Sequence, residues 1–188
     1  MTEWESDQLI FINKNAANEW TTDWKYEWSF KDFSCHVRRS CKKSCYWSIL
    51  SVINLDDYLA VNVYQKSYNV TRFNEFIHLH VFSKCRSEYS VLMMNNCSTH
   101  QSWELKRLCR EADVELAFLS SYSSDFNSIK QSFHALKEWM QRHQDLARSS
   151  QYKNDYEGFI WLTVRSFMKE KNACEYFRCS GIEDSEKM

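Results

Sequence analysis

The sequence contains no proline and only two glycines in 188 residues. Ordinary usage gives about nine prolines and about thirteen glycines in this length. Turns and helix ends need these residues, so no folding requirement removes them. The deficit excludes an origin in the fold and points to a bias in the gene. Other absences bound the function. No apolar run approaches the roughly 18 residues of a membrane span. The opening residues, MTEWESDQLI, lack a basic stretch followed by an apolar one, so no signal peptide is expected. A net charge of −1 gives no global attraction to nucleic acid. The segment Arg38-Arg39-Ser40-Cys41-Lys42-Lys43 remains as a local basic patch. Among the eight cysteines, Cys35, Cys41 and Cys45 lack the C-x2-C pairs of structural zinc sites. Reduced thiols in an intracellular protein are expected. His78 and His80, two apart, do not share a helix face and read as a solvated pair. Asn69-Val70-Thr71 and Asn96-Cys97-Ser98 match the glycosylation pattern, which is short and fits the expected compartment poorly.

What is present is a core. Hydrophobic residues make up 44% and aromatics 16%, which excludes disorder. Gln8–Ile12, Trp47–Ile53 and Tyr58–Tyr64 read as strands, the last two joined as a hairpin through Asn54-Leu-Asp-Asp57. Phe73, Phe76, Ile77, His80 and Val81 follow the spacing of one helix face. Tyr89–Met94 is a continuous apolar run, as in a strand covered on both sides. A helix with Leu105, Leu108, Cys109 and Ala112 inward follows, then a strand over Val114–Leu119. Two more helices bury Ile129, Phe133, Leu136 and Met140, then Phe159, Ile160, Val164 and Phe167. No repeat or linker divides the chain, so one domain is expected over 1–180, with an acidic, frayed tail over 181–188. A hairpin feeding parallel strands separated by helices is an α/β mixed sheet with helices on both faces. Chemistry in such sheets gathers at the carboxyl ends of strands. That singles out Asn13, Asn95 and the segment after Leu119.

Two stretches carry a resemblance. One is VLMMNNCSTH, ending an apolar strand; the other is SSYSSDFNSIK, over 120–130. Together they resemble the catalytic domain of mariner-like transposases, of the DDE superfamily with a ribonuclease-H-like fold. That family has an apolar strand ending in Asp-Asn with a His shortly after, then a loop reading roughly Pro-Pro-Tyr-Ser-Pro-Asp-x-Asn-Pro-Ile-Glu. Here Tyr122, Ser123, Asp125, Asn127 and Ile129 match, while Ser120, Ser121, Ser124 and Ser128 stand where the family has prolines. LIFINKN looks like the family's first strand, which ends in Asp-Glu-Ser.

The resemblance implies three metal-binding carboxylates at positions 13, 95 and 130. The thirty-four residues between 95 and 130 are the spacing of one large branch of the family. Asn13, Asn95 and Lys130 stand there instead. In the family the acids hold two Mg²⁺ ions for DNA strand cleavage and transfer. Magnesium requires anionic oxygen ligands, so the resemblance implies a pseudoenzyme with no metal bound. Asp125 and Glu19 are nearby acids with no evident geometry to replace them. The implied partner is DNA at transposon ends, with no membrane and no small-molecule substrate, in the nucleus if the gene is expressed. The family's N-terminal helix-turn-helix region is expected to be missing. The alternative is a retained, non-catalytic DNA-binding or protein-interaction module.

One lesion connects these departures. Pro becomes Ser by a C-to-T change, and Asp becomes Asn, Glu becomes Lys and Gly becomes Asp by G-to-A, the same change on the other strand. Arg becomes Trp or Cys likewise, and Trp20 and Trp24 are read as former arginines. Fungal genomes mutate duplicated transposons this way. Four prolines lost from one loop cost roughly 2–4 kcal/mol, against about 5–15 kcal/mol for a whole domain.

Overall fold

The computed structural model describes residues 4–23, 28–33, 45–85, 90–96, 102–120, 126–170 and 173–182, with side chains of 167–170 excepted. The candidate basic patch at 38–43, Cys35, Cys41, Trp24, Asp125 and residues 183–188 lie outside these. Five strands form one sheet in the order β3-β2-β1-β4-β5. They are β1 (Leu9–Asn18), β2 (Tyr46–Ile53), β3 (Tyr58–Gln65), β4 (Val91–Asn95) and β5 (Glu115–Leu119). β1 runs parallel to β4, and β4 to β5, while β2 is antiparallel to both β1 and β3. The mixed sheet read from the sequence is therefore present.

Alternation sorts each strand's side chains onto two faces. Leu9, Phe11, Val91 and Met93 join one core with Ile129, Phe159 and Phe177. These last come from α3 (Ser128–Arg142), α5 (Tyr156–Glu170) and α6 (Ala173–Cys179). A short α4 (Gln144–Ala147) links α3 toward α5. Ile10, Ile12, Leu92 and Met94 face the other way, against α1 (Val70–His80) and α2 (Trp103–Glu111). Both faces are thus covered by helices. That is why β1 and β4 open as unbroken apolar runs.

Several elements differ from the sequence expectation. β1 extends six residues past its apolar start, from Asn13 to Asn18, because two neighbours hold it for different lengths. Its parallel ladder with β4 ends at Ile12↔Met94, while the antiparallel ladder with β2 continues from Asn13↔Ser51 to Asn18↔Tyr46. His80 is exposed rather than inward; α1 ends there, and Val81 turns into the core instead. Its ring lies tilted against Phe76 at 5.5 Å. The Asn54–Asp57 turn closes without glycine because Asn54 Oδ1 accepts from the Asp57 N–H at 2.8 Å. Asn69, from one glycosylation match, caps α1 by accepting from Arg72 N–H at 2.9 Å. Helix α6 adds to the elements expected from the sequence, and Ile182 beyond it is buried rather than part of a frayed tail that begins at 181.

Two helices end through a left-handed residue, only one of them glycine. After α6, Ile182 N–H donates to Phe177 O at 3.1 Å and Gly181 N–H to Arg178 O at 3.0 Å, with Gly181 at φ 74°. This is a Schellman motif, which needs a left-handed residue just past the helix. After α2 the same pair recurs: Val114 N–H to Cys109 O at 2.9 Å and Asp113 N–H to Arg110 O at 3.3 Å. Here the left-handed residue is Asp113, at φ 54°. Asp32 and Lys66 also hold positive φ, at 71° and 83°. An L-residue there bears a backbone penalty that glycine lacks. Asp113→Gly is expected to stabilise the fold by about 1 kcal/mol, and Gly181→Asp to cost about as much. Denaturant midpoints at constant slope measure both; no gain from Asp113→Gly would show that the position never required glycine.

Candidate functional site

Asn13 is the residue after the last parallel pair of β1, and Asn95 is the last residue of β4. Each follows the alternation of its strand onto the face that carries α3. Lys130 lies in the first turn of α3, its N–H bonded to Asn127 O at 2.9 Å. All three line one cleft of about 420 Å³ at the carboxyl ends of the strands. The three residues singled out in the sequence therefore meet in space.

A chain of side-chain amides joins them. Lys14 N–H donates to Asn13 Oδ1 at 2.8 Å, and Asn95 Nδ2 donates to the same oxygen at 3.3 Å. Asn127 Nδ2 donates to Asn95 Oδ1 at 3.0 Å. The direction is fixed from one end. A backbone N–H can only donate, so the atom of Asn13 facing it is oxygen. The atom of Asn95 facing that oxygen is then nitrogen, and its oxygen faces Asn127. Two accepted bonds use both lone pairs of Asn13 Oδ1. What Asn13 has left for the cleft is an N–H donor.

Asn127 occupies the N-cap of α3, where a side-chain oxygen ordinarily accepts from the helix's first free N–H groups. It makes no such bond. It reaches back to β4 instead, and its own Oδ1 is buried without a partner among the described residues. Ser128, the first residue of α3, is fully buried with its hydroxyl likewise unpartnered. That first helical position favours proline, whose missing N–H is not needed there. Asn127 at φ −95° and ψ 96° is extended, the region open to a residue before proline.

Lys14, Lys130, Lys137 and His134 line the cleft, and no carboxylate does among the described residues. The Lys14 side chain alternates to the opposite face of β1, where its Nζ donates to Ser67 Oγ at 3.3 Å. Lys130, His134 and Lys137 fall at i, i+4 and i+7, one face of α3. That stripe is readable in the spacing of the sequence, as is Lys14 beside Asn13. The carboxylate one turn on, Glu138, is engaged by His134 and Arg142, each at 3.5 Å. Glu19 lies at the far end of β1, exposed, and does not enter the cleft. Mg²⁺ asks for several hard anionic oxygens. Two amides and an ammonium do not fit it, and each like-charge contact near 4 Å opposes a cation by about 4 kcal/mol per unit charge.

Ser128→Pro is expected to stabilise the protein by about 1–2 kcal/mol, by restricting the unfolded chain and removing a buried, unbonded hydroxyl. Thermal unfolding beside Ser128→Ala separates the two contributions. A destabilised Ser128→Pro would mean that the α3 start does not accept a proline.

Comparison with known proteins bears on the family and the fold. The profile of the family described as DDE superfamily endonuclease matches residues 8–153. No curated protein matches the chain. Among solved structures, the mariner Mos1 paired end complex with Mg aligns at a TM-score of 0.69 and 12% identity, over 93% of this chain and 51% of that one. A pre-cleavage Mos1 transpososome aligns at 0.67 and 10%, over 93% and 52%. The Mos1 transposase catalytic domain with Raltegravir and Mg aligns at 0.58 and 10%, over 93% and 77%. At these identities the likeness is one of fold, and the chain spans about half the length of the first two. The profile covers most of the chain, including Asn13, Asn95 and Lys130, and on that match the chain belongs to the DDE superfamily endonuclease family.

Proposed function

We propose that this chain is the catalytic domain of a mariner-like transposase by descent. In this reading Asn13, Asn95 and Lys130 occupy the family's three acid positions, and the domain no longer cleaves DNA. The observation that carries it is the cleft itself: the three positions converge, and a hydrogen-bonded amide pair sits where two carboxylates would need a cation between them. Two ionised carboxylates at that separation would repel. Asn13 and Asn95 remove the repulsion and, with it, the reason to bind metal. Structures of Mos1 complexes with Mg and with Mn place divalent ions in relatives of this fold.

The relic reading draws on further details. Ser128 sits where a helix favours proline, and Asp113 where it favours glycine. Trp28 is 99% exposed and Trp103 74%, large apolar surfaces in water of the kind an Arg-to-Trp change leaves. The partner in this reading is DNA, as in the Mos1 complex with left transposon end. In this reading the domain runs past the expected boundary at 180 to include Ile182, which is buried in the core, and its site of action is the nucleus if the gene is expressed.

The test has two arms. The wild-type chain is expected to leave supercoiled DNA intact with Mg²⁺ or Mn²⁺. The triple variant Asn13→Asp, Asn95→Asp, Lys130→Glu is expected to gain stabilisation by Mn²⁺, about 2.7 kcal/mol at a hundredfold excess over Kd. Metal-dependent nicking by the wild type, lost in Asn13→Ala, would sink the proposal. So would a triple variant indifferent to Mn²⁺.

A further inference from the structure

The two edges of the sheet differ. At one edge β3 is blunted: Lys84 Nζ donates to Leu59 O, and the β2–β3 ladder shifts register between Val52 and Ile53. A lysine on the edge and a bulge are usual protections of a free strand. β5, at the other edge, has neither. Its Glu115 N–H donates to Ser90 O at 3.0 Å. In a parallel ladder the N–H and C=O of one residue point the same way, and the direction alternates along the strand. Glu115, Ala117 and Leu119 therefore turn to β4. The N–H and C=O of Leu116 and Phe118 turn outward, with no backbone partner among the described residues. Leu116, Ala117 and Phe118 are each half-buried, and a groove of about 720 Å³ lies beside Leu116 and Phe118.

We infer that β5 pairs with β5 of a second copy of this chain, antiparallel about a two-fold axis at Ala117. The strand is complementary to itself in that register. Leu116 falls opposite Phe118 of the partner subunit, and Phe118 opposite the partner's Leu116. Each is a hydrogen-bonded pair that exchanges two N–H···O=C bonds. Together they use every outward-facing backbone group of both strands, whereas an axis at Leu116 or Phe118 leaves some unpaired within β5. Ala117 meets its own counterpart in a non-hydrogen-bonded pair, where Cα atoms approach to about 4.5 Å. Its methyl group suits that approach. Glu115 falls opposite the partner's Leu119, so no like charges meet directly. Its carboxylate is already held by Trp4 Nε1 at 3.0 Å. Helix α2 runs back between the parallel β4 and β5, so the two copies of α2 lie antiparallel. Lys106 and Arg110, which line the groove, then lie toward the Trp103 end of the other helix rather than against their own counterparts. The contact is isologous and closed. It stands apart from the reading of positions 13, 95 and 130.

The experiment follows the whole chain by sedimentation equilibrium in reducing buffer over a wide range of concentration. The wild-type mass is expected to rise from 22.7 kDa toward twice that value and stop there. Leu116→Pro removes one outward N–H, a placing that an edge strand tolerates. It should stay monomeric while keeping a cooperative unfolding transition. Ala117→Cys gives a readout that does not depend on that variant. Oxidised with diamide, two copies of this chain should join through position 117, because the Cα separation of such a pair lies within disulfide reach. Mass spectrometry of the linked peptides distinguishes that bond from links among the native cysteines, with oxidised wild type as background. A wild type that stays monomeric overturns the inference and leaves the edge to a segment of another protein. A mass that climbs past the dimer, a dimer undiminished in a folded Leu116→Pro, or a dimer with no link through position 117 overturns it equally.

Discussion

Because Ile12 and Met94 are the last pair of a parallel ladder, the next residue of each strand emerges beside the other on the same face of the sheet. Everything chemical in this molecule depends on that register. A slip of one residue would turn Asn13 and Asn95 to opposite faces and dissolve the cleft. The register is held by apolar side chains, Leu9, Phe11 and Met93 on one side and Ile10, Ile12 and Met94 on the other. The apolar pairs beneath therefore align the two positions, and the Asn95 Nδ2 to Asn13 Oδ1 bond lies across the same ladder.

Asn127 ties this sheet register to α3. By donating to Asn95 it leaves the helix without a side-chain cap. Losing an N-cap bond costs a helix about 1 kcal/mol, yet the donor position is one that an aspartate at 95 would use equally well. The arrangement suits a carboxylate acceptor and tolerates the amide only because Asn95 can turn its oxygen toward Asn127. In the proposed reading the same geometry would serve a charged centre and its neutral counterpart; the direction of every bond in the present one is dictated by the Lys14 N–H.

Much of this was legible in the sequence, and the reasons differ by element. The strand and helix faces were readable because apolar spacing reports them directly, as with Ile129, Phe133, Leu136 and Met140. Convergence of positions 13, 95 and 130 was readable only through a motif that spans the loop before α3. The second half of β1 was not, because Asn13–Asn18 is polar and its strand character comes from β2 alone. His80 fits the helical period but lies at the final residue of α1, where the period stops governing direction. The role of Asn127 and the lysine lining escaped because both depend on how α3 lies across β1 and β4, a relation that spacing along the chain does not encode.

The composition of the two cores has a consequence for what survives in such a gene. The residues that set the register are isoleucine, leucine, phenylalanine and methionine. Under C-to-T and G-to-A change, codons for phenylalanine and isoleucine alter silently, while leucine, methionine and valine pass mainly to other large apolar residues. Acid, proline and glycine codons have no such refuge. A mutational process of this kind erases catalysis, turns and helix ends first and reaches the interior last. The tertiary fold then becomes the slowest-decaying record of what the gene once encoded.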